Sequence, residues 1–198
     1  PLNTPSNLGY SSAINMVFNC GGALGDSTWL EAGDVPVVAF HCTKDPNAPY
    51  TTGPVIVPTT GDFVLEASGS YDVVRRANDP AFGDINNILS MGTYTDVYSA
   101  RANTINDGHE GLYPFITPIP PTYNTNCNIV LPSQEQGAPW DWWDDATYKA
   151  TIVYYNGLGI TNQNPDTMAC NARRGNPDMS AAKGRAYVDT IQGYLAQR

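Results

Sequence analysis

Residues 35–50, VPVVAFHCTKDPNAPY, decide the fold. Val35, Val37, Val38, Ala39 and Phe40 make an apolar run that polar residues end, so it reads as a buried strand, too short for a helix. His41, Cys42, Thr43, Lys44 and Asp45 follow directly, and then a turn carrying Pro46 and Pro49. A carboxylate just past the end of a buried parallel strand stands where open α/β sheets keep their active sites. Asp45 is therefore the first candidate. The second is His109 in NDGHEGL, residues 106–112, where it stands between two glycines after another strand-like run.

Working outward, residues 13–20 (AINMVFNC) read as a strand that Gly21-Gly22 ends, and residues 25–33 as a connection containing Trp29. Residues 51–61 are a Pro- and Thr-rich excursion. Residues 70–77 have helical character, with Ser70 as N-cap and Val73 and Val74 facing inward. Residues 84–91 form a short helix capped by Asp84, and residues 94–105 a strand that delivers His109. From residue 113 to 128 the chain is rich in Pro, Thr and Asn and is expected to be irregular. Residues 138–145, APWDWWDD, hold three tryptophans, 146–155 read as helix, and 156–176 as loop. Residues 179–197 place Ala182, Ala186, Val188, Ile191, Tyr194 and Leu195 near helical spacing, starting at Asp178 or Ser180. No repeat or linker divides the chain. Residues 1–198 are read as one domain, with 113–178 as an irregular or lid-like insertion.

A chain of 198 residues is long enough for a sizeable core. Ten basic against 19 acidic residues give a net charge of −9, and no basic run is present, which argues against nucleic acid as a partner. Only 15% of residues are charged. The surface is thus expected to be loop-rich and polar without charge, as in secreted bacterial proteins. No apolar stretch is long enough to span a membrane, and no signal peptide is recognisable. A start at Pro1 without Met is expected of a processed or fragmentary polypeptide. None of the four cysteines forms a CxxC pair and the two histidines lie far apart, so no structural zinc is expected. Cys127 and Cys170 lie in loop-like sequence and are expected to form a disulfide in an oxidising compartment. Cys20 and Cys42, each after a strand, are either buried thiols or a second bridge.

Residues 9–50 resemble the part of secreted bacterial α/β-hydrolases, esterase- or lipase-like, that lies downstream of the nucleophile elbow. In that family the penultimate strand ends in a pattern like H-G-T-x-D-x-x-V-P-Y; here it reads His41-Cys42-Thr43-Lys44-Asp45-Pro46-Asn47-Ala48-Pro49-Tyr50, with Cys42 for Gly and Ala48 for Val. The family's terminal histidine preceded by glycine matches Gly108-His109. The resemblance covers roughly residues 9–114 and the last helix. It implies the last strands of a mostly parallel sheet with flanking helices, the C-terminal part of an α/β-hydrolase fold, plus a Trp-containing insertion. It further implies Asp45 as triad acid and His109 as general base in acyl transfer on a carboxylic ester. No G-x-S-x-G elbow occurs in this chain. The serine, the oxyanion loop and the earlier strands are expected upstream of Pro1 or on another chain, since three strands leave a sheet edge unpaired.

Each candidate has a plainer reading. Asp45 can cap a turn before Pro46, and His109 can be an exposed loop histidine. His41, directly after the strand, is read as structural. Gly25-Asp26-Ser27 resembles the start of the GDSL-hydrolase motif, but the rest of that pattern is missing and Ser27 is taken as a surface polar residue. Trp140, Trp142 and Trp143 either line a substrate pocket or anchor the insertion. Glu110 can tune the site beside His109. Asp141, Asp144 and Asp145 lack an EF-hand pattern and are read as a solvated face. The chemistry needs no cofactor or metal. Two alternatives stand beside the esterase: a non-catalytic hydrolase-like secreted binding or assembly protein, and a peptidase of the same fold.

Overall fold

The computed structural model describes residues 9–11, 13–57, 60–118 and 135–198. Along them run β1 (Val17–Cys20), β2 (Ala23–Leu24), β3 (Val37–Cys42), β4 (Gly53–Ile56), β5 (Phe63–Gly69), α1 (Ser70–Ala77), α2 (Asn87–Ser90), α3 (Val97–Ala102), β6 (Leu112–Phe115), α4 (Asp145–Gly157), α5 (Pro165–Arg173) and α6 (Ala181–Leu195). The apolar run forms the central strand of a parallel sheet ordered β1-β3-β6, and every residue of β3 is buried. Successive side chains alternate between faces. Val38 and Phe40 therefore meet Tyr113, Phe115, Ile191 and Tyr194 on one side. Val37 and Ala39 meet Val73, Val74 and Leu112 on the other. Helix α6 supplies Ile191 and Tyr194 to the first layer and α1 supplies Val73 and Val74 to the second. The described chain is thus a mixed α/β fold.

A second sheet, ordered β2-β5-β4, is antiparallel, and its strand β5 runs directly into α1. The β4–β5 hairpin falls partly in the Pro- and Thr-rich excursion, which carried no strand signal because Phe63, Val64 and Ile56 are all at least half exposed. Ser70 is the first residue of α1 rather than its cap; Gly69 holds the cap position. A side chain at Gly69 would stand 2.2 Å from the Pro49 carbonyl oxygen, so this junction requires glycine.

Residues 94–105 are not a strand. Asp96 caps α3 by accepting from the backbone N–H groups of Tyr98 (3.0 Å) and Ser99 (2.9 Å), and the strand, β6, comes after His109 instead. The turn between them uses positive φ at Asp107 (53°), Gly108 (78°) and Gly111 (90°). β6 pairs Ala39 with Leu112 and Cys42 with Phe115. Ala39 N–H donates to Gly111 and Thr43 N–H to Phe115, so Leu112 and Pro114 face the outer edge. The missing N–H of Pro114 costs no ladder bond there. Where β6 has not yet begun, the Asn86 amide replaces it: Asn86 accepts from Val37 N–H (2.8 Å) and donates to the carbonyls of Val37 (2.9 Å) and Glu110 (2.7 Å).

Asn86, not Asp84, occupies the cap position of α2. The region expected to be an irregular insertion contains α4, capped by Asp144 on Thr147 N–H (2.8 Å), and α5, which residues 156–176 were not expected to hold. Lys149 bridges Asp145 (3.0 Å) and Asp166 (2.8 Å), joining the two helices. Helix α6 starts at Ser180, whose hydroxyl accepts from Lys183 N–H (3.1 Å). No helix of the described residues is long and apolar enough to cross a membrane.

Candidate site at the end of the central strand

Asp45 stands three residues past β3 with a side chain only 4% exposed. Its Oδ1 accepts from the backbone N–H groups of Asn47 (2.7 Å) and Ala48 (3.1 Å), an Asx-turn of the kind aspartate forms with its own following backbone. Its Oδ2 lies 3.5 Å from His41 Nε2, which also meets the Ala48 carbonyl at 3.3 Å. On the other side of the ring, His41 Nδ1 lies 2.8 Å from Ser70 Oγ. The Ser70 hydroxyl also reaches the Gly22 carbonyl (2.9 Å) and Asn19 Oδ1 (3.3 Å). A single network of hydroxyl, imidazole and carboxylate thus ties the β5–α1 junction to β3 and to the turn after it.

The residue types are those of a hydrolytic triad, but the geometry is not. In a triad the hydroxyl faces Nε2 and the carboxylate Nδ1; here the two are exchanged. Ser70 and His41 are wholly buried, so no substrate carbonyl reaches the hydroxyl. The sequence reading of His41 as structural agrees with this. It missed Ser70 as its partner, and the signal that pointed to it was the SG-S junction between a strand and a helix.

The backbone at Gly137 presses on the Asp45 carboxylate: a side chain there would come within 2.8 Å of Oδ1. Gly137 is held by Gly175, whose carbonyl accepts its N–H at 2.7 Å, and Gln136 N–H donates to Lys44 at 3.2 Å. Beside it, Lys183 Nζ donates to Gln136 Oε1 (2.5 Å), Asn176 Oδ1 (2.6 Å) and Asp178 Oδ1. The ground from which a separate base would approach Asp45 is filled by this segment.

His109 lies elsewhere. Its N–H donates to Asn106 (2.9 Å) and its carbonyl accepts from Leu112 (3.1 Å), which puts it before the first residue of β6. Asp45 follows the last residue of β3, and the two strands are parallel. Acid and histidine therefore lie beyond opposite ends of the paired β3 and β6 segments. No hydrogen bond or ion pair joins them. A row of rings runs between the two imidazoles: His41–Tyr50 at 5.7 Å, Tyr50–Tyr71 at 5.6 Å and Tyr71–His109 at 5.4 Å. Burial holds the His109 imidazole below its usual value; Asp107 opposes this and Arg75 adds to it. A proton-titration series by NMR is expected to place its midpoint below 6.5. Neutral His109 then favours the folded state above that range, a contribution lost as pH falls through the midpoint.

Trp140 packs on Phe115 at 6.1 Å and joins the core, so it anchors the segment that follows residue 135. Trp143 meets Tyr148 at 5.5 Å, and Trp142 is 53% exposed. Ser27 opens a short 3-10 turn capped by Asp26, and its N–H donates to Ser68 Oγ at 3.0 Å. Glu110 is bound by Arg198, 2.7 Å from Nε, and by the Tyr194 hydroxyl at 3.3 Å, so it braces α6 rather than tuning His109. Cys20 and Cys42 are free thiols and form no second bridge; burial, with Asp45 nearby, pushes the Cys42 thiol up to about 12, while Lys183 opposes. Cys170 is disulfide-bonded, and Cys127 lies outside the described residues. Among the described residues no group of three or more His, Cys, Asp or Glu is placed to hold a metal ion.

No protein-family model matches the chain, and no curated protein or solved structure matches it significantly.

Proposed function

We propose that this chain is a non-catalytic, hydrolase-like binding or assembly module, in place of the acid-and-base portion of a serine esterase. One observation carries the reading: both Asp45 oxygens are engaged by its own turn and by His41, with the Gly137 backbone packed against them. Asp45 then does what its plainer reading says, closing the turn before Pro46. The low charge and loop-rich polar composition support an extracellular setting.

Labelling of the native material with a fluorophosphonate, which reacts with activated serines, tests this. No adduct is expected on this chain. Any adduct on a co-purifying polypeptide is expected to form at the same rate with His109→Gln or Asp45→Asn. Asp45→Asn keeps the Oδ1 acceptor of the turn and is expected to stay folded. A serine whose labelling drops by about 100-fold or more in either variant, the usual contribution of a general base, would overturn the proposal. Ester or peptide cleavage with the same dependence would restore the hydrolase reading.

A further inference from the structure

We propose that the open edge of β1 is a docking site for a β-strand of a partner protein that carries basic residues at its flank. This rests on the assembly reading above and names its partner. β1 is outermost in the order β1-β3-β6. Val17 N–H donates to Pro36 (2.9 Å) and Gly21 N–H to Phe40 (2.7 Å), so the odd-numbered positions face β3. In a parallel ladder the alternate residues, Phe18 and Cys20, turn both N–H and C=O outward. No described residue bonds to them there. An unpaired row of backbone groups is a template for another strand.

The side chains agree with the backbone. Val17 is 39% and Phe18 54% exposed, so apolar residues on both faces of an otherwise buried sheet stay open to water at this edge. Alongside lies a groove of about 450 Å³, lined by Val17, Leu24, Leu30, Val37 and Val73 and continuous with the sheet face that α1 covers. A strand added to β1 would place alternate side chains into this groove and the others beside Phe18.

Charge selects the occupant. Asp34 lines the groove, and Asp26 and Glu31 are exposed on the same connection. Arg76, the basic side chain nearby, donates to the Leu30 carbonyl at 3.3 Å and acts on Asp26, so it offsets one of these three carboxylates and leaves the flank negative. Two copies of a chain with net charge −9 would bring these carboxylates together, whereas Lys or Arg flanking an apolar strand would meet them favourably.

The test uses the whole chain and a synthetic peptide of alternating valine and threonine with a lysine at each end. Saturable binding is expected, weaker at high salt, and reduced at least tenfold by Phe18→Pro. That change removes an outward N–H but no β1–β3 bond, so the circular dichroism spectrum should be retained. If it is not, Phe18→Asp at the same exposed position gives the second reading of the edge. No binding by the native chain at millimolar peptide, or binding indifferent to the folded variant, would overturn the proposal. So would sedimentation as a dimer that Phe18→Pro converts to monomer, which would make a second copy the occupant. Failure here with no serine labelling would leave the non-catalytic reading standing. Peptide binding together with labelling that depends on Asp45 or His109 would remove that reading and keep the edge.

Discussion

Phe40→Ala is expected to lower the unfolding free energy by about 3–5 kcal/mol, the usual cost of deleting a buried aromatic side chain. Phe40 is wholly buried on β3, with ring centroids 5.8 Å from Tyr113, 6.1 Å from Phe115 and 5.6 Å from Tyr194. These spacings are those at which aromatic rings attract beyond simple burial. The ring joins three elements at once, β3, β6 and α6, so the vacated space cannot close by moving one of them. Against a total stability of about 5–15 kcal/mol this is a large fraction. The thermal midpoint should fall by roughly 6–20 °C for a chain of this size. The control lies one strand over: Phe18→Ala, at a position 54% exposed, should change stability by no more than about 0.5 kcal/mol in the isolated chain. Urea unfolding followed by circular dichroism separates the two. Equal losses would mean that the core is not centred on β3.

Asn86→Ala is the second large effect, expected at about 2–5 kcal/mol. The Asn86 side chain is wholly buried and acts as a peptide group in the gap where β6 has not begun, serving Val37 N–H and the Val37 and Glu110 carbonyls. Alanine leaves the buried Val37 N–H and carbonyl without this partner, each worth about 1–3 kcal/mol when orphaned, while the Glu110 carbonyl keeps the Asn78 amide at 2.9 Å. Asn86→Asp should be no better, because it keeps an acceptor for Val37 N–H but turns carboxylate oxygen toward two carbonyls. Faster hydrogen exchange at the Val37 amide, ahead of the middle of β3, is the local signature. A wild-type exchange rate there would show that water or a shifted Gly111 loop replaces the amide.

Those parts of the fold were legible whose residues repeat with a single period. The apolar run gave β3, and the inward pairs gave α1 and α6 nearly to their ends. Misreadings came where a few polar contacts decide. Val97, Tyr98 and Ile105 suggest a strand, yet Asp96 caps the backbone into α3 and the positive-φ turn at residues 107–111 postpones the strand to Leu112. The β4–β5 hairpin buries little along most of its length, so it carries no alternation to read. At the site, sequence order placed Asp45 and His109 as acid and histidine, but order along a chain says nothing about which end of a sheet a loop occupies. That depended on whether β6 precedes or follows His109. The contact between Ser70 and His41 joins residues 29 positions apart and leaves no periodic trace.

The packing of Phe40 also sets a timetable for synthesis. Its partners are translated late: Tyr113 follows by some 70 residues and Tyr194 by more than 150. At about 5–20 residues per second a ribosome takes on the order of ten seconds or more to deliver Tyr194 after Phe40 has been made. During that interval β3 is an apolar strand without its aromatic cover, while α1 and the β4–β5 hairpin, whose contacts are local, are already available. The nascent chain therefore presents its most adhesive segment first and the means of hiding it last, which makes β3 the segment most in need of chaperone protection during translation.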